Sequence, residues 1–89
     1  MKTRYLEVTF RKGKPLAAYL YLPRGVGERS VRTEARGQGT RVDYAADGRA
    51  IGIEITAPSQ LMLEDINRIL LDLGLPSAGP EELAPLKAA

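Results

Sequence analysis

Arg41-Val42-Asp43-Tyr44-Ala45-Ala46-Asp47-Gly48-Arg49-Ala50-Ile51-Gly52-Ile53-Glu54-Ile55 reads as a β-hairpin, and that reading decides the fold. Val42 and Tyr44 alternate with Arg41 and Asp43, and Ile51, Ile53 and Ile55 alternate on the returning strand. Period-two alternation is the mark of a half-buried strand. Ala45-Ala46-Asp47-Gly48 supplies the turn, with Gly48 placed for a positive φ. Gly52 between isoleucines predicts a bulge or a close approach by another backbone. Glu54 projects from the face opposite the isoleucines.

Working towards the N-terminus, residues 4–10 place Leu6, Val8 and Phe10 on one side and Tyr5, Glu7 and Thr9 on the other. Arg11-Lys12-Gly13-Lys14-Pro15 is a turn. Residues 16–22 put Leu16, Ala18, Leu20 and Leu22 towards a core and Ala17, Tyr19 and Tyr21 away from it. Pro23-Arg24-Gly25-Val26-Gly27 breaks the pattern as a loop. A weaker strand over 28–36 is expected to turn Val31, Thr33 and Ala35 inward, its charged positions protecting an exposed edge. Gly37-Gln38-Gly39 then leads into the hairpin.

Working towards the C-terminus, Ala57-Pro58-Ser59 ends the sheet, and Ser59 is a suitable helix cap. Met62, Leu63, Ile66, Ile69, Leu70 and Leu73 form one apolar stripe of a helix over 59–73. Glu64, Arg68 and Asp72 follow at four-residue spacing, which offers ion-pair support along the polar side. Gly74 and Pro76 stop the helix. Leu71 lies opposite the stripe. In the Pro-rich tail, 76–89, Pro80-Glu81-Glu82 suits a first helical turn that Pro85 keeps short. Leu83 and Leu86 offer a means of docking the tail on the body, with fraying of the last residues as the alternative. The expectation is one α+β domain over 1–89, with a mainly antiparallel five-stranded sheet over 4–56 and one C-terminal helix packed on one face.

At 89 residues, a single small core is all this chain can build, with a stability on the order of 4–13 kcal/mol. It has neither Cys nor His. That removes disulfides, thiolate chemistry, the usual zinc ligands and the commonest general base. Neither a cofactor nor a metal is expected. One Asn and two Gln against many Arg, Leu and Pro lean towards a thermophilic source. The N-terminus lacks the apolar region of a signal peptide and no apolar run reaches ~20 residues, so a cytoplasmic protein with no membrane attachment is expected.

The net charge of +2 is unevenly spread: residues 1–41 carry ten Lys/Arg and three Asp/Glu, residues 42–89 three and eight. Basic strands and an acidic helix that neutralise one another account for this split. Alternatively, Arg4, Arg11, Lys12, Lys14 and Arg32 form a basic patch for RNA or DNA. Tyr5, Tyr19 and Tyr21 on the uncovered face, with Leu71, are the candidate interface for a second copy or another protein. Tyrosine is also a good strand residue in its own right, which accounts for all three without a partner. With arginine nearby, the same rings suit stacking of unpaired bases. Asp43, Asp47 and Glu54 are the best carboxylate cluster for acid/base or Mg²⁺ chemistry. Asp47 before Gly48 is nevertheless what a turn requires. The expectation is a non-enzymatic, self-associating interaction module, with nucleic-acid binding as the alternative.

The hairpin, through Val42-Asp43-Tyr44, Asp47-Gly48-Arg49 and Gly52-Ile53-Glu54-Ile55, resembles the signature of a family of small prokaryotic domains, domain-of-unknown-function family 2283. Ala17-Ala18-Tyr19-Leu20-Tyr21-Leu22 resembles an earlier part of its pattern, so the likeness covers roughly residues 5–57. The resemblance implies a compact sheet domain and brings no established activity. Members often carry acidic residues just before the second strand, where Arg11, Lys12 and Lys14 stand in this chain. Some members are encoded beside small toxin-like proteins, which implies that this module is antitoxin-like and has a protein partner.

Overall fold

The computed structural model describes residues 3–87. Five strands, β1 (Tyr5–Arg11), β2 (Lys14–Tyr21), β3 (Arg32–Gly37), β4 (Thr40–Tyr44) and β5 (Ala50–Ile55), form one antiparallel sheet in the order β1-β2-β5-β4-β3. The fold is α+β, with a single α-helix, α1 (Leu63–Asp72), among the described residues. No helix among them is long and apolar enough to cross a membrane.

Turn chemistry fixes the strand registers. Lys12 and Gly13 both have positive φ (53° and 78°), as do Gln38 and Gly39 (53° and 72°). Two-residue turns of this hand match the twist of the strands they join. They set Arg11 against Lys14 and Gly37 against Thr40. In the central hairpin Gly48 takes φ 90°, and its N–H donates to the Ala45 carbonyl.

Leu20, Leu22, Val42, Ile53 and Ile55 carry the sheet side of the core, and Ile66, Ile69 and Leu70 of α1 meet them. A bulge sets Tyr44 against Ala50 instead of Ile51. Ile51 is fully buried but lies outside the cluster that Ile53 and Ile55 join. The cluster stops at Val8 and Ala18, leaving Phe10 and Leu16 about half exposed where an inward position was expected. A ten-residue helix is only ~15 Å long, too short to cover the whole sheet.

Two further expectations are corrected. In β3, Thr33 pairs with Asp43 and Ala35 with Arg41, on the face away from the helix, and Val31 is exposed. The helix side of β3 instead carries Arg32, Glu34 and Arg36. The Arg32 guanidinium sits 4.1 Å from the Tyr44 ring centroid, and Arg36 bridges Glu34 and Asp72 of α1 at 3.2 and 3.7 Å. Long cationic stems cover this edge of the core; the Arg32 head stays largely in water, and the Arg36 head is held by Glu34, Tyr44 and Asp72.

The helix is also shorter than 59–73. Pro58–Gln60 forms a separate 3₁₀ turn, and Leu61 follows in extended backbone with its side chain buried. The start of α1 is therefore capped by Asp65, which accepts the Met62 N–H at 3.0 Å, and Ser59 lies outside the helix. Arg68 turns to Asp65 at 3.7 Å, since Asp72 faces Arg36.

The tail is part of the core. Ala78, Leu83 and Leu86 are buried in the main cluster, and the Asn67 amide exchanges two hydrogen bonds with the Ala78 backbone, at 2.6 and 3.1 Å. Its helical turn is a 3₁₀ turn at Ala84–Lys87, after the position expected from Pro80-Glu81-Glu82. Fraying of the last residues concerns 88–89, outside the described residues.

Candidate functional site

The face that α1 and the tail leave uncovered is built by register. One row crosses all five strands as Tyr5, Tyr21, Gly52, Asp43 and Thr33. The neighbouring row runs Glu7, Tyr19, Glu54, Arg41 and Ala35. The missing side chain of Gly52 leaves a gap in the first row, and the Tyr19 ring leans across to fill it. A Cβ on Gly52 would lie 1.8 Å from the Tyr19 hydroxyl oxygen and 2.2 Å from Cζ. Gly52 thus borders the β4–β5 bulge, one of the two roles its sequence context suggested, and the group that approaches it closely is an aromatic ring and not a backbone.

From that position the Tyr19 hydroxyl donates to Asp43 Oδ2 at 2.7 Å, and the Thr33 hydroxyl donates to Oδ1 at 2.6 Å. Asp43 is only 7% exposed. Burial pushes its carboxyl up, but the hydrogen bonds from Thr33, Tyr19 and Glu54 outweigh that and hold it below the ordinary carboxylate range. Burial, with the hydrogen bond to Asp43, pushes the Tyr19 hydroxyl up to about 12. Glu54 is pushed up by burial and by the hydrogen bond and charge of Asp43, with Arg41 opposing.

The aromatic part is continuous with this polar centre. Tyr5 and Tyr21 stack at 4.5 Å with 14° between their planes, and Tyr19 meets Tyr21 edge-on at 4.6 Å. The Arg24 guanidinium lies 5.2 Å from the Tyr21 ring centroid, and one of its nitrogens donates to the Ile51 carbonyl. Sequence reasoning singles out neither Arg24 nor Thr33 as a site residue. Arg24 follows the tyrosine strand after Leu22 and Pro23, a spacing that lets the chain fold back over the rings.

The remaining sequence candidates are dispersed. Leu71 is exposed on α1, across the sheet from the tyrosines. Arg11, Lys12 and Lys14 sit together at the β1–β2 turn. Arg4 is engaged at the other end of β1, donating to Glu82 at 2.6 Å and to the Pro76 and Ser77 carbonyls at 2.6 and 2.8 Å. Arg32 belongs to β3, at the opposite edge of the sheet. The five cations therefore form no single patch. Asp47 is held at its turn by the Arg49 side chain at 2.7 Å, and only Asp43 and Glu54 of the three carboxylates meet. Among the described residues no group of three or more His, Cys, Asp or Glu could hold a metal ion.

The carboxyl pair sets a pH dependence. The raised Glu54 binds its proton more tightly in the folded chain, so stability rises as pH falls from neutral through its folded value. Asp43 is depressed, so its stabilisation is lost as pH falls further, through the ordinary range towards its folded value. Urea unfolding across pH is expected to show a maximum in mild acid. Glu54→Gln should flatten the rise below neutrality and leave the acid loss in place; an unchanged rise would place its origin elsewhere.

Compared with known proteins, the chain matches no family model, no curated protein and no solved structure.

Proposed function

We propose that this chain is a non-enzymatic, cytoplasmic interaction module that associates with itself through the uncovered face of its sheet or through a strand edge. The observation that carries this reading is the one-sided cover: α1 and the tail bury one face, while the other presents Tyr5 and Tyr21 beside polar groups that already hold one another. Satisfied polar groups lower the desolvation cost of covering such a surface. Glu7, Asp43 and Glu54 share this face with Arg11, Arg24 and Arg41, so its charges balance and it lacks the net positive charge that would gather phosphates.

Size-exclusion chromatography with light scattering, at low and high salt, tests the proposal. The expected result is a dimer or larger species that carries no nucleic acid and survives high salt. A monomer at every concentration overturns it. Co-elution with nucleic acid that declines steeply with salt would favour the Arg11, Lys12 and Lys14 turn as an RNA or DNA contact instead.

A further inference from the structure

The two edges of the sheet differ in a way that points to the geometry of association. β3 is short, carries Arg32, Glu34 and Arg36 on one side, and ends in a register shift between Ala35 and Gly37. Charge and irregularity of this kind discourage strand pairing. β1 is less protected: it runs seven residues without Pro or Lys, its charges are limited to Glu7 and Arg11 on the side away from the helix, and among the described strands it pairs with β2 alone. The irregularity at its Thr9/Phe10 level places the extra residue in β2, because Thr9 pairs with Ala17 and Phe10 with Pro15.

Apolar groups are also left incomplete along β1. Leu6 and Val8 reach the core but are only partly buried, and Phe10 and Tyr5 are each 48% exposed. One more strand beside β1 would cover them. The pattern of β1 is complementary to itself when reversed about Val8. Antiparallel pairing there sets Glu7 opposite Thr9, Leu6 opposite Phe10 and Tyr5 opposite Arg11, with like faces together. Apolar pairs then fall on the helix side, and a cation meets an aromatic ring on the other.

We infer that the self-association proposed above occurs through β1, which pairs antiparallel with β1 of a second copy about a two-fold axis at Val8 to give one continuous ten-stranded sheet. This rests on the self-association reading and, of the face and the strand edge that reading leaves open, selects the edge.

The absence of cysteine from the chain makes the test direct. Opposed residues in antiparallel strands have Cα atoms ~4.5–5.5 Å apart, within reach of a disulfide. Val8→Cys alone should therefore oxidise to a covalent dimer. Glu7→Cys and Thr9→Cys should cross-link efficiently only when the two variants are mixed. Glu7 and Thr9 are both exposed, so Glu7→Lys with Thr9→Lys should keep the fold, checked by circular dichroism. It sets like charges opposite one another twice and should weaken the dimer about tenfold or more. A monomeric parent chain would overturn both readings. A parent dimer that survives the double lysine variant and does not cross-link at Val8→Cys would overturn the β1 interface alone.

Discussion

Gly52→Ala is expected to destabilise the fold by about 2–4 kcal/mol, the sum of overpacking and of a disturbed buried acceptor. The added methyl would coincide with the Tyr19 ring, whose Cε2 lies 2.5 Å from the ideal Cβ position as well. The ring has little freedom to yield. Tyr21 meets it edge-on, and its hydroxyl is one of two that hold the buried Asp43 carboxylate. Displacing Tyr19 therefore disturbs the centre of the uncovered face along with one contact. The φ of Gly52 is not positive, so backbone strain does not contribute.

A double-mutant cycle separates this account from a general intolerance of side chains in β5. With Tyr19→Ala in place the gap is open, and Gly52→Ala should then cost little or even stabilise, since glycine weakens a strand interior by about 0.5–1 kcal/mol relative to alanine. Equal costs in the two backgrounds, read from urea unfolding, would exclude the ring as the reason for glycine.

The division between what was legible in sequence and what was not follows the range of the interactions. Strict alternation in β1 and β2 placed Tyr5, Tyr19 and Tyr21 on the uncovered side, and alternation across the Asp47-Gly48 turn placed Asp43 and Glu54 there with them. In β3 hydrophobicity favoured Val31, Thr33 and Ala35 as the inward set, and that phase is wrong, because Val31 precedes the strand and the rest are polar or small. Pairing of Thr33 with Asp43 decides it. The role of Gly52 depends on the β2–β5 register, Tyr21 against Gly52, and no local pattern encodes that pairing. The helix start shifted because Leu61 is buried from an extended segment, which continues the apolar stripe without continuing the helix.

Deleting residues 76–89 is expected to have the largest effect of all. Leu83 and Leu86 are 5% and 3% exposed, and burying a leucine contributes about 1.5–3 kcal/mol. The pair alone accounts for about 3–6 kcal/mol of a total on the order of 4–13 kcal/mol. The deletion also removes both backbone partners of the Asn67 amide and the groups that Arg4 clamps. The shortened chain should lose cooperative urea unfolding and bind a hydrophobic dye. Leu83→Ala, a milder form of the same change, should cost about 2–4 kcal/mol and leave a folded protein. Arg4→Ala should cost about 1 kcal/mol in the full chain, because its pair with Glu82 is partly exposed. A cooperative transition in the shortened chain, within about 1 kcal/mol of the parent, would mean that the tail rests on the core without completing it. The geometry argues against that outcome: Arg4 precedes β1 and Glu82 lies in the tail, so their contact joins the two ends of the described chain across a core that neither end closes alone.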